Sequence, residues 1–231
     1  MKIVIFGANG QTGRLLTRRV LDADYTAVAV TRRPDDFPFA HPRLTVAGAD
    51  VRDASSLVDV VDGADAVLST LGVPFSRKPI DTYSVGVRNI ITAMQNTAVR
   101  RLVVVSSTGA YHYPGRRNTP LSLRVFEPII TRTIGESTYD DQRRMEAIVR
   151  DSELDWTVVR PSGLFDLPYV TDYVAGDVDP VGGYTSRLDL ADYLTALAAG
   201  SAAKDTVVIS TTADTPTMWQ MVRREAFKSA S

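Results

Sequence analysis

Residues 1–16 read MKIVIFGANGQTGRLL, and three glycines, Gly7, Gly10 and Gly13, fall at one joint. Before it, Val4, Ile5 and Phe6 predict a buried strand; after it, Leu15, Leu16, Val20 and Leu21 recur at helical spacing. A strand, a glycine turn and a helix N-terminus together make an anion site. Free backbone N–H groups and the positive end of the helix dipole face the same point. Glycines chosen only for backbone freedom would give a plain tight turn. The flanking strand and helix favour the anion site.

Outward from this joint, strands are expected at 2–6, 27–31, 44–47, 66–70 and 102–106, with helices at 13–23, 54–62 and 81–97. Short, nearly all-apolar strands separated by helices indicate a parallel sheet covered on both faces. Right-handed crossovers then make it a doubly wound α/β sheet. In such sheets ligands bind outside the carboxyl ends of the strands. Gly7–Gly13, Thr31–Arg33, Asp50–Val51, Thr70–Gly72 and Ser106–Gly109 all lie at those ends.

Beyond Gly109 the pattern loosens, and residues 111–137 read as a lid-like excursion with a short helix near 121–131. The alternative for this stretch is a plain surface insertion. A helix over 138–151 follows, then a strand over 156–160 ended by Pro161. Residues 189–199 predict a helix with Asp189 as N-cap. A strand at 206–210 and a helix near 216–227 close the chain. One domain over 1–231, its second half adding a small substrate-side lobe, accounts for this order.

Composition narrows the partners. Lys plus Arg is 26 against 27 Asp plus Glu, a net charge of −1. That balance argues against nucleic acid or an acidic membrane as partner, since both need a basic excess. The absence of cysteine excludes disulfides, thiolate metal sites and a cysteine nucleophile. Only His41 and His112 are present, far apart, so no metal is expected, and a Ser-His-Asp triad would need one of them. The apolar N-terminus is too short for a signal peptide, and no apolar run of about 18 residues occurs, so cytoplasm is the expected location.

The end of the second strand bears on the ligand. Dinucleotide sites usually carry an acidic residue about 20 positions beyond the glycines, which accepts from a ribose 2′-OH. Here residues 28–36 read VAVTRRPDD and place Thr31, Arg32 and Arg33 there. A guanidinium pairs with a 2′-phosphate that a carboxylate would repel, which favours NADP(H) over NAD(H). Arg14 is placed to help. Asp35 and Asp36 are alternative ribose acceptors and keep NAD in play.

Several phrases resemble the atypical short-chain dehydrogenase/reductase superfamily on its NmrA-like side. They are GANGQTG (7–13), GADVRDASSL (48–57) and LSTLG (68–72). The phrases GVRNIITAM (86–94), DDQRRMEAIVRDSELDW (140–156) and RPSGLFD (160–166) are most similar to its biliverdin reductase B and flavin reductase group. The likeness runs from residue 1 to about 210 and implies a Rossmann fold. It also implies hydride transfer from NADPH to a planar acceptor: a flavin such as FMN or FAD, a linear tetrapyrrole or a quinone.

By the same likeness Gly10, Gln11, Thr12 and Gly13, with Gly7 and Asn9 in the same turn, would hold the pyrophosphate. Arg32, with Arg33 beside it, would hold the 2′-phosphate. Asp50 and Val51 would contact adenine, and Leu71 and Gly72 the ribose side. Pro161, Ser162, Gly163 and Leu164 would border the nicotinamide end, and Thr108, with Ser107 as neighbour, carries the active-site hydroxyl.

Relatives that oxidise alcohols use Tyr-x-x-x-Lys. Residues 137–146 read STYDDQRRME, and alignment on RRMEAIV puts Thr138 and Gln142 at those two places. These share a helix face with Met145 and Val149 and are expected to look inward, while Tyr139 and Arg143 lie one step round, with Tyr139 on the surface or in the lid. Neither Thr138 nor Gln142 titrates near neutrality, so the helix supplies no general base. Reduction of a flavin or quinone asks mainly for two rings held at reacting distance, and Gln142 joins Thr108 and Ser107 as a candidate for that task.

Tyr111, His112, Tyr113, Phe126, Phe165 and Tyr169 are the expected aromatic walls, with His112 as a candidate proton donor. The expected function is an NADPH-dependent reductase of a small planar molecule, a monomer or weak homo-oligomer. The alternative is an NADP(H)-binding redox-sensing regulator. A nucleotide-sugar epimerase needs the missing tyrosine and ranks last.

Overall fold

The computed structural model describes residues 1–74, 78–118, 135–200 and 204–217. The eight-stranded sheet has the order β3-β2-β1-β4-β5-β6-β10-β8. Its strands are β1 Lys2–Phe6, β2 Thr26–Thr31, β3 Leu44–Gly48, β4 Ala66–Ser69, β5 Arg101–Val105, β6 Asp155–Pro161, β8 Val174–Gly176 and β10 Asp205–Ser210. All neighbours pair in parallel except β8, which runs antiparallel to β10 at the edge. Two short strands, β7 Gly163–Phe165 and β9 Tyr184–Ser186, form a separate parallel pair.

Strand alternation sends side chains to two cores. Val4, Phe6, Val28, Val30, Leu102 and Val104 pack beneath α3 (Thr82–Gln95) and α4 (Glu136–Arg150). Ile3, Ile5, Ala27, Ala29, Val103 and Val159 face α1 (Gln11–Asp22) and α5 (Arg187–Ala199). Both faces are therefore apolar, and this is why the strands read as unbroken hydrophobic runs. This is the doubly wound α/β sheet expected from the sequence.

The chain builds outward from β1 to β2 and β3, then recrosses to β4. The crevice where this reversal occurs is the usual ligand position. Here the two carboxyl ends are tied, since the Thr70 N–H donates to Phe6 O at 2.9 Å and the Thr70 hydroxyl donates to the same oxygen at 3.0 Å.

Several elements differ from expectation. The helix expected over 54–62 is a 3-10 turn, Ala54–Ser56, and one α-turn, α2 Val58–Val61. The Asp53 carboxylate accepts the Ser55 N–H at 3.1 Å and closes the first of these locally. Asp189 is not a cap. Ser186 fills that role, accepting the Leu188 N–H, while Asp189 is buried inside α5 and accepts from the Thr171 N–H and hydroxyl, each at 2.8 Å. Its carboxylate thus ties α5 to a loop eighteen residues back, where a cap would have served its own first turn. Residues 136 and 137, placed in the excursion by the sequence, open α4 instead. The short helix at 121–131 and most of the closing helix lie outside the described residues.

Candidate functional site

The first glycine turn is built by backbone geometry. Gly7 has φ +74°, and a Cβ there would stand 2.6 Å from Thr70 O. A Cβ on Gly13 would stand 2.2 Å from Gly7 O and 2.7 Å from the Ala8 Cα. Gly13 therefore lies behind the turn, where it allows α1 to approach β1 closely, and does not line the cleft. At the mouth, Gly10 is the N-cap of α1 with no side-chain hydrogen bond, and the first turn holds no acidic residue. The first amides of the helix thus face the cleft beside Gln11 and Thr12. Asn9 Oδ1 accepts Arg14 Nε at 2.9 Å, which fixes that arginine beside the turn.

From this turn a cleft of about 1270 Å³ runs across the sheet to Ser162–Leu164. That exceeds the roughly 300–1,000 Å³ of a pocket for one small ligand. Its charged lining consists of Arg14, Arg32, Arg33, Arg52 and Arg187; among the described residues no carboxylate lines it. In a chain of net charge −1 this concentrates positive potential where an anion would lie.

At the far side of β2, Arg33 makes an exposed ion pair with Asp36 at 3.3 Å, and Arg32 makes none among the described residues. Val51 lines the cleft but Asp50 does not; its Oδ1 accepts the Arg52 N–H at 3.0 Å. Arg52, unforeseen in the sequence, lines the cleft instead, held by the Asp81 carboxylate and by Thr82 Oγ1 at 3.2 Å. Leu71 and Gly72 also line it.

At the other end, Ser106, Ser107 and Thr108 form the floor. Ser107 Oγ accepts the Gly109 N–H at 3.1 Å and so caps the 3-10 turn Thr108–Ala110. The buried Thr108 hydroxyl donates to Ser162 Oγ at 3.3 Å. The Ser162 N–H donates to Thr185 Oγ1 at 2.9 Å, and the Thr185 hydroxyl donates to Ile209 O at 2.8 Å. A chain of neutral groups thus fixes Thr108 to β10. Pro161, Ser162, Gly163 and Leu164 all line this end.

Thr138 and Gln142 point inward as expected and line the cleft. Tyr139 does not sit on the surface or in a lid. Its ring lies on Gly109, where an added Cβ would stand 2.7 Å from it, and it borders the cleft. Arg143 donates to Ala110 O at 2.6 Å and pairs with Asp140.

The expected aromatic walls are largely wrong. Tyr111 and Tyr113 bond Glu146 and Arg160, respectively, behind the floor. Phe165 is buried edge-on against Tyr184, while His112 is exposed and Tyr169, 48% exposed, bonds Asp214. Phe126 lies outside the described residues. Tyr83, Tyr139 and Tyr184 line the cleft in their place. Burial pushes the Tyr83 phenol above its ordinary range, so it is protonated at neutral pH.

The uncapped helix end, the glycine cradle and the arginines suit a dinucleotide, and the comparisons with known proteins agree. Residues 7–200 match the family model described as NAD(P)H-binding. The chain belongs to the NAD(P)H-binding family.

Among relatives of this NAD(P)H-binding protein is cinnamoyl-CoA reductase 1 of Petunia hybrida, 31% identical over 127 residues. That match covers 50% of this chain and 38% of the petunia protein, so the chain spans well under half of that relative's length. Solved structures are similar over nearly the whole NAD(P)H-binding chain. A short-chain dehydrogenase/reductase from Veillonella parvula DSM 2008 in complex with NADP has a TM-score of 0.74 at 21% identity, covering 94% of this chain and 99% of that one. ChuY, an anaerobillin reductase from Escherichia coli O157:H7, has a TM-score of 0.71 at 19% identity, covering 94% and 100%. Among the described residues no cluster of metal-ligating side chains occurs, and no helix is long and apolar enough to cross a membrane.

Proposed function

We propose that this protein is an NADPH-dependent reductase that passes a hydride to a planar acceptor such as a flavin. One observation carries the reading: a single cleft joins an arginine-lined, phosphate-ready end to a neutral hydroxyl-rich floor, with space beyond one small ligand. The NADP complex of the Veillonella structure and the reductase activities named for the petunia and E. coli proteins support it.

In this reading the amides at Gly10–Thr12 hold the pyrophosphate and Arg32 pairs with the 2′-phosphate. NADPH, when bound, supplies the hydride. Thr108, held by Ser162, orients the nicotinamide end or the acceptor through its hydroxyl. Pro161–Leu164 wall that end of the cleft. The cleft has no carboxylate, histidine or lysine among its described lining residues, and the residue four positions after Tyr139 is Arg143, so the Tyr-x-x-x-Lys pair used for alcohol oxidation is not assembled here. Reduction of a flavin can take its proton from water, and position becomes the main contribution.

The reading is tested by following absorbance of the reduced nicotinamide with NADPH and FMN, riboflavin or menadione. Thr108→Ala is expected to cut turnover at least tenfold with NADPH affinity retained. NADPH binding without turnover for any acceptor would favour a redox-sensing regulator.

A further inference from the structure

Arg52 enters the cleft at the end where the base of a dinucleotide would lie. A ribose held at the end of β2 sends its base further out, toward β3 and α3. Val51 and Leu71 line the cleft there and pack together on Gly86 of α3, where an added Cβ would stand 2.9 Å from Leu71 Cδ1 and 3.2 Å from Val51 Cγ2. They form an apolar bed. The Arg52 guanidinium lines the cleft beside it, tied to the start of the same helix by the Asp81 carboxylate and by Thr82 Oγ1 at 3.2 Å.

The polar groups at this end decide how a base can be held. Asp50 does not line the cleft, and its Oδ1 already accepts the Arg52 N–H at 3.0 Å. The Thr82 hydroxyl oxygen takes Arg52, and the Tyr83 hydroxyl accepts the Val73 N–H at 3.3 Å. Ala49, Val51, Leu71, Gly72, Val73 and Pro74 bring no polar side chain. Among the described lining residues, then, no carboxylate is left to accept from an amino group on a purine edge. Arg52 itself donates through Nη2, while its Nε and Nη1 have no partner among the described residues. A planar cation anchored by one edge keeps a face for an aromatic ring.

We propose that Arg52 stacks on the purine and closes it against the Val51–Leu71 bed, so that this end of the cleft holds the base by its face and not by its edge. The proposal rests on the dinucleotide orientation given above and not on turnover. It gives Arg52 a task separate from that of Arg32, because a face contact is indifferent to a phosphate on the ribose. It also tolerates a change at the purine edge. A carboxylate accepting from a 6-amino group would reject a 6-oxo purine, which meets it with a second acceptor and leaves both oxygens unpaired.

The test is calorimetric titration with NADPH, NADH and the NADPH analogue that carries hypoxanthine in place of adenine, for the wild type, Arg52→Ala and Arg52→Lys. In the wild type the adenine and hypoxanthine forms are expected to bind within about threefold of each other. A larger difference in either direction would overturn the proposal, and that comparison needs no variant to fold. Arg52→Ala is expected to raise the Kd of NADPH and of NADH alike by about 3- to 30-fold, the range for a cation over an aromatic ring. A smaller loss would overturn the proposal, and so would one confined to NADPH, which would give Arg52 to the 2′-phosphate. Arg52→Lys keeps the charge without the plane and is expected to stay at least about threefold weaker than the wild type; wild-type affinity would overturn the stacking. The Arg52 side chain is half-exposed, so both variants are expected to fold. No uptake of any of the three by the wild type would remove the dinucleotide and the proposal together. Because the readout is binding, a protein that takes up NADPH and reduces no acceptor loses only the reductase reading.

Discussion

Asp141, midway along α4, caps the first turn of α3: its Oδ2 accepts the Tyr83 N–H at 2.8 Å. Its other oxygen takes the Ser84 hydroxyl. Asp81, the N-cap residue of α3, makes no such bond and pairs with Arg52 instead. A carboxylate from another helix thus satisfies amides that would otherwise be buried without partners, and it fixes Tyr83 against Gln142. Asp141→Ala is expected to destabilise the protein by about 1–3 kcal/mol, measured as a lower urea midpoint. An unchanged midpoint would show that water replaces the cap.

The glycine turn tolerates no side chain at its tightest point. Gly13→Ala places a methyl 2.2 Å from Gly7 O, a backbone atom that cannot rotate away. Overpacking of this kind costs about 1–3 kcal/mol. The variant is expected to unfold at lower temperature and to lose NADPH binding in calorimetry; wild-type affinity would refute the tight turn.

The proposed reading gives the 2′-phosphate to Arg32, because Arg33 already faces Asp36. A hydrogen bond to a charged group contributes about 1.5–3 kcal/mol. Arg32→Glu should therefore weaken NADPH roughly 10- to 100-fold while NADH changes little. Equal weakening of both would refute the assignment.

Behind the floor, buried Glu146 accepts from Arg160 Nε at 3.0 Å and from the Tyr111 hydroxyl at 2.9 Å, and the Arg160 guanidinium stacks 3.6 Å from the Tyr111 ring centroid. Burial would raise the Glu146 carboxyl, but bonds from Arg160 and Tyr111 and the Arg160 charge outweigh it and hold the carboxyl below the ordinary range. A depressed folded pKa contributes stability that is fully present above the unfolded value, about pH 4.3, and lost as pH falls through the folded one. Wild-type stability is expected to drop below about pH 4 along this limb. Glu146→Gln removes that component and costs about 3 kcal/mol at neutral pH, the low end for breaking a buried pair. Chemical denaturation across this pH range checks both; parallel curves for the two proteins would refute the linkage.

Much of the fold was legible because its causes are local. Strands β1, β2, β4 and β5 announce themselves as apolar runs, since both faces of each are covered, whereas the edge strand β3 has no buried residue. The helix expected over 54–62 is instead split into the 3-10 turn Ala54–Ser56, capped by Asp53, and the single α-turn Val58–Val61. The excursion after Gly109 had no period to read.

The candidate site was legible only in part. Arg32, Val51 and Thr108 lie at strand ends and line the cleft as read, whereas Asp50, Tyr111, His112 and Phe165 do not. Nothing within a few residues of Tyr111 shows that Glu146, thirty-five positions later, will take its hydroxyl.

The sequence alone determined the doubly wound sheet, the glycine turn at its switch point and the arginines at the end of β2, because backbone sterics, strand alternation and charge act over a few residues. Only the tertiary structure decided that Tyr83, Tyr139 and Tyr184 line the cleft, that Asp141 caps a helix other than its own, and that Asp189 is a buried tie. Those outcomes depend on which distant segments meet, and the contacts that settle them form only when the two helical layers close over the sheet.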